Sequence, residues 1–224
     1  MIYLKDLANS MPGKPKRPRT APSDSCPGKD EQADGNKPSG SHPSSDEGKP
    51  AFRPLELSRL AAGMPCLKPH SGATLADASA VCLEERGHKQ GAVLGVSGHV
   101  EASCVLSWPA SDDQSRREWN DPDEATEKGA VGVAILLVSD MTEYHVVRRS
   151  IKTTGVDYYM SLKAETGFQE SARLEVSGIR SGSKGMVTAR VNQKIKQSKQ
   201  SEGQGPVFVV VVEFNSPLAA VVMK

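Results

Sequence analysis

Ala172-Arg173-Leu174-Glu175-Val176-Ser177-Gly178-Ile179 sets apolar Ala172, Leu174 and Val176 in alternation against Arg173, Glu175 and Ser177. A period of two predicts a β-strand with two different faces. Towards the carboxyl end, Lys184–Lys199 places Val187, Val191 and Ile195 four apart, the spacing of one helical face. Val207–Phe214 follows as a continuous β-branched run, as expected of a central strand covered on both sides. Pro217 then marks a turn before a last apolar piece, Leu218–Met223. Towards the amino end, Gly155–Met160 and Tyr144–Ser150 are two further strand-like runs. Ahead of them, Asp121-Pro122-Asp123-Glu124 supplies an N-cap acid, proline at the first helical position and glutamate at the third. The chain from Ala125 to Val138 then turns apolar nearly all round, which predicts a buried helix. Its β-branched residues and glycines 129 and 132 argue for a strand instead. With the helix, the order from Asp121 to Phe214 is α-β-β-β-α-β.

Before that block, Thr74 and Asp77 have the spacing of a capping box, and Leu75–Arg86 is a helix stopped by Gly87. Two short strands, Gly91–Ser97 and Ala102–Trp108, are joined through Gly98-His99. Ser111 to Asn120 forms a polar loop, flanked by Trp108 and Trp119, which anchor it to the core. The fold class expected is α/β (α+β), a central mixed sheet flanked by helices. Residues 11 to 50 hold eight of the 15 prolines and only Met11 from the large apolar residues. Such a stretch cannot offset its ordering entropy, so residues 1–50 read as a disordered Pro/Ser/Lys-rich tail. Its Lys14-Pro15-Lys16-Arg17-Pro18-Arg19 run reads as solvated tail chemistry rather than a nucleic-acid patch. Residues 51–72, with Leu55-Glu56-Leu57-Ser58-Arg59-Leu60, read as a linker or docking segment for a protein partner. The globular domain is expected at 73–224, long enough for one core.

The 28 Lys and Arg nearly balance the 27 Asp and Glu, which excludes a wholesale polycation, though not a local basic patch. No apolar run approaches 18 residues, so no membrane span is expected. Asp6 stands where a secretory leader would be apolar. The four cysteines (Cys26, Cys66, Cys82 and Cys104) are widely spaced without a C-x-x-C, as free thiols of a cytoplasmic protein would be.

Two acids stand out by position. Asp157 lies within Gly155-Val156-Asp157-Tyr158-Tyr159-Met160, and Glu175 lies mid-strand. A carboxylate inside a strand is costly to desolvate unless something pairs or binds it. Two on neighbouring strands raise each other's pKa unless a cation sits between them. A divalent cation resolves this, because hard Mg²⁺ takes carboxylate oxygens and keeps waters for a phosphate substrate. The plainer alternatives are a solvent-facing acid at Asp157 and a cross-strand partner of Arg173 or Arg148 at Glu175. Between Glu175 and Glu202 stand Arg180, Lys184, Arg190, Lys194, Lys196 and Lys199, with no acid among them. Arg190 and Lys194, four apart, share a helical face that could meet phosphates.

This order of elements, with acids on the second and third strands, resembles the PD-(D/E)XK phosphodiesterase core of many restriction and repair nucleases. The resemblance covers residues 121–214. It implies that Asp157 and Glu175 bind Mg²⁺, assisted by Glu124 or Glu127 on the first helix. The motif lysine falls on Ser177, so the cation that orients the attacking water would come from the following helix, as Lys194 or Arg190. Lys184, Arg180 and Arg190 would bind substrate. The implied function is a Mg²⁺-dependent DNA phosphodiesterase, as in bacterial defence or restriction systems. The rival reading, favoured by Ser177 and the near-zero net charge, is a non-catalytic α/β protein-interaction subunit. The two differ in one geometric point: whether the carboxylates of Asp157 and Glu175 converge with Lys194 or Arg190 nearby, or instead diverge or pair with arginines. His88, His99 and His145 match no zinc spacing, and Gly178–Gly185 only resembles a phosphate loop.

Overall fold

The computed structural model describes residues 52–163, 169–199 and 205–224. The expected disordered tail, residues 1–50, lies outside the described residues, as does Cys26. The chain forms an eight-stranded mixed sheet flanked by helices. Strands β1 (Phe52–Glu56), β2 (Val93–Gly98), β3 (Ala102–Ser107), β4 (Tyr144–Arg149), β5 (Tyr158–Leu162), β6 (Ala172–Ile179), β7 (Val207–Glu213) and β8 (Leu218–Met223) line up in the order β1-β3-β2-β8-β7-β6-β5-β4. The helices are α1 (Pro69–Glu85), α2 (Asp113–Glu118), α3 (Pro122–Met141) and α4 (Lys184–Ser198). None is long and apolar enough to cross a membrane.

The α3-β4-β5-β6-α4-β7 order matches the expectation for 121–214. β4, β5 and β6 pair antiparallel, and β6 pairs parallel with β7, with Glu175 opposite Val209. A parallel pair needs a crossover, and α4 supplies it. β7 is buried along its whole length, as a strand covered on both faces must be. Its Phe208, Val210 and Val212 join the core under α1 and α3, whereas Val207, Val209 and Val211 pack with Val187 and Val191 of α4.

The ambiguity over Ala125–Val138 resolves as helix. Asp121 caps α3, accepting from the amides of Asp123 at 2.9 Å and Glu124 at 3.3 Å. The glycines serve helix packing. A Cβ at Gly129 or Gly132 would press on Ser79 of α1, and Ser79 Oγ donates to the Gly129 carbonyl at 2.9 Å. Small residues at the crossing let the two backbones approach, so the glycines that looked strand-like mark a helix contact.

Three local expectations are corrected. Helix α1 starts at Pro69, not near Leu75; Thr74 lies inside it and donates to His70 O, while Asp77 accepts from the Trp119 indole at 2.9 Å. Part of the polar loop is helical, as α2, and Asp112 caps it through the Ser115 amide. Trp108 anchors the segment through Glu84 at 3.1 Å, as Trp119 does through Asp77. The third concerns residues 51–72. β1 pairs parallel with β3, and Leu55, Leu57 and Leu60 are each at most 1% exposed in the main core. The apolar segment expected to dock a partner docks on its own domain, which therefore begins no later than Phe52.

Candidate functional site

The polar face of β6 does not meet solvent. α4 lies over it, so Arg173, Glu175 and Ser177 are all buried. Each then needs a partner. Lys194 Nζ donates to Glu175 Oε1 at 2.6 Å, and Gln197 Nε2 donates to the same oxygen at 3.1 Å. Arg190 Nη1 donates to Ser177 Oγ at 2.9 Å. Residues 190, 194 and 197 are spaced i, i+4 and i+7, one stripe of α4 laid along β6. Arg173 reaches the Gly205 carbonyl at 2.6 Å, and Arg148 pairs with Glu170. Neither arginine takes the cross-strand role considered for Glu175.

Asp157 stands one residue before β5. Its amide donates to the Leu174 carbonyl at 2.9 Å, and its Oδ2 accepts from the Val176 amide at 2.8 Å. The side chain completes the β5–β6 ladder where the β5 backbone turns away. That pins the carboxylate beside Glu175. The two acids converge: burial pushes the Glu175 carboxyl up to about 7, and the neighbouring Asp157 pushes in the same direction. Lys194 pulls it back, but the combined rise prevails.

A cleft of about 690 Å³ opens over this group between α3 and α4. Asp157, Ser177, Arg180, Arg190, Lys194 and Gln197 line it, with Asp123 and Glu127 from α3 on the other wall. Close approach of the walls depends on Gly178, where a Cβ would overlap the Thr126 carbonyl. Glu175 sits beneath, 1% exposed.

The sequence-derived residues divide accordingly. Asp157, Glu175, Lys194, Arg190 and Arg180 come together; Arg180 also contacts Glu85 at 3.2 Å. Lys184 does not: it lines a separate recess with Glu213 and Ser216. Glu124 is exposed and does not line the cleft, because the acids one position earlier and three later face it instead. Gln193 and Gln197 were not anticipated, although the i, i+4, i+7 stripe from Arg190 marks Gln197. Glu213, also unanticipated, is 1% exposed and structural, accepting from the amides of Gly182, Asn215 and Ser216. The His88 ring hydrogen-bonds the Phe214 carbonyl, at 2.9 Å.

Among the described residues no group of three or more His, Cys, Asp or Glu forms a cage for a metal ion. Two adjacent carboxylates are nonetheless a fitting donor set for Mg²⁺, which takes one or two from protein and fills its shell with water and phosphate oxygens. No protein-family model, curated protein or solved structure matches the chain.

Proposed function

We propose that the chain is a Mg²⁺-dependent DNA phosphodiesterase built on a PD-(D/E)XK-like core, with Lys194 of α4 in the part of the motif lysine. The observation that carries the reading is the 2.6 Å contact of Lys194 with Glu175, directly beneath the open cleft that Lys194 and Asp157 line. Ser177 leaves the motif position without an ammonium group, and α4 returns one to the same carboxylate. The pairing of β4 to β7 and the crossover by α4 also agree with such a core.

Asp157 and Glu175 would hold the ion, which offsets their mutual repulsion and lowers the pKa of bound water. The chain's own groups do the rest. The Val176 amide orients Asp157, and Gln197 and Lys194 orient Glu175. Lys194, at the cleft wall, positions the attacking water and favours its deprotonated form. Arg190, held by Ser177, and Arg180 bind the non-bridging phosphate oxygens as charge builds on them. Water oxygen forms the new bond to phosphorus as the bond to the leaving sugar oxygen breaks in line. The proton lost by water is balanced by the one the leaving oxygen gains.

Plasmid nicking with Mg²⁺ tests the reading. Wild-type protein is expected to nick, with Asp157→Asn and Lys194→Met slower by at least ~100-fold. Equal nicking by wild type and Asp157→Asn, or none by either, removes the enzyme and leaves the protein-interaction subunit as the reading.

A further inference from the structure

A second cavity, of about 220 Å³, adjoins the acidic cleft and shares Glu127, Val131 and Asp157 with it. Its own polar lining comes from three elements: His70, Ser71 and Thr74 from α1, Lys128 from α3, and Arg149 from the end of β4, with Tyr158 behind them. The cations are available. Arg149 has no ion pair among the described residues, and Lys128 meets only its neighbour Glu127, at 3.7 Å. Tyr158 lines the cavity, and its hydroxyl has no hydrogen-bond partner among the described residues. A phenol O–H at the cavity wall can donate to an acceptor bound there. Two cations, Arg149 at the exposed rim and Lys128 beside Glu127, with an O–H donor open to the same cavity, suit an anion rich in acceptor oxygens. The cavity is smaller than the pockets that enclose drug-sized ligands, of ~300–1,000 Å³, and fits a phosphate with its sugar.

We propose that this cavity is a phosphate subsite, held by Lys128, Arg149 and Tyr158, that seats the nucleic-acid phosphate next to the one in the acidic cleft. The assignment rests on the phosphodiesterase reading for the identity of the strand, but the anion-binding chemistry stands by itself. Its walls are supplied partly by α1, outside the 121–214 core, which gives the added amino-terminal elements a part in substrate binding. The phosphate could be an internal diester or a terminal monoester, which differ in charge.

Isothermal titration in EDTA, where no cleavage occurs, separates these. The probes are the dinucleotide TpT and its 5′-phosphorylated form pTpT. Wild-type protein is expected to bind at least one of them. The Lys128→Gln/Arg149→Gln pair is expected to weaken binding about tenfold or more. Tyr158→Phe, which keeps the ring, is expected to weaken it less. A preference for pTpT assigns a terminal phosphate; equal binding of TpT assigns an internal one. Dinucleotide binding unaffected by the Lys128/Arg149 pair, or no binding by wild type, overturns the subsite. Plasmid nicking judges the catalytic reading separately, so either can fail without the other.

Discussion

Glu175 is held by opposing forces that can be measured without any substrate. Burial and Asp157 favour its neutral form, whereas Lys194 at 2.6 Å favours the anion. The net result is a carboxyl raised from its ordinary 4.5 to about 7. The folded chain therefore keeps a proton that the unfolded chain releases. This contribution to stability is fully present below about pH 4.5 and is lost as pH rises through 7. At ~1.4 kcal/mol per pKa unit its span is a few kcal/mol. In EDTA, the thermal midpoint of wild type is expected to fall between pH 5 and 8 more steeply than that of Glu175→Gln. Parallel midpoint curves for the two proteins would show that Glu175 titrates normally. At this scale the sequence pointed to the acids and to Lys194, because an acid inside an apolar strand and a cation run without acids are local patterns. It did not separate Glu124 from Glu127, since only the seating of α3 on the sheet decides which turn faces the cleft.

β6 is the element on which the site is built, and its alternation has a second meaning here. Alternating polar residues ordinarily signal a solvated face. In β6 that face lies under α4, so Arg173, Glu175 and Ser177 are buried and partnered instead. The opposite edge of the arrangement is set by Gly178, against which Thr126 of α3 rests directly. Gly178→Ala is expected to cost about 1–3 kcal/mol by forcing that helix away from the strand. Urea unfolding would read the loss, and a midpoint within error of wild type would mean that α3 does not sit so close. Strand and helix periods were legible in the chain because each is a local repeat. The glycines of α3 were not, because their reason is a neighbour about fifty residues away, Ser79 on α1.

Across the whole molecule, residues 52–62 change from an accessory to a structural part. β1 closes one edge of the sheet, and the 3-10 turn after it, Leu57–Ala62, buries Leu57 and Leu60 against the helical layer. Leu60→Ala is expected to destabilise the domain by about 2–5 kcal/mol, the cost of a cavity in a packed core. A docking arm on the surface would instead lose no more than ~0.5 kcal/mol. Chemical denaturation of the two proteins distinguishes these outcomes directly. A six-residue apolar segment carries no record in its own composition of what it will bury against. Most of the strands and helices, and the short roster of charged residues worth watching, could be read along the chain, because periodicity, capping and charge runs act between near neighbours. The folded chain adds that Asp157 stands beside Glu175, that Lys194 rather than a residue at 177 reaches Glu175, and that α1 walls a second cavity beside them. Those facts depend on which faces pack together, and packing is settled by the shape of the whole core.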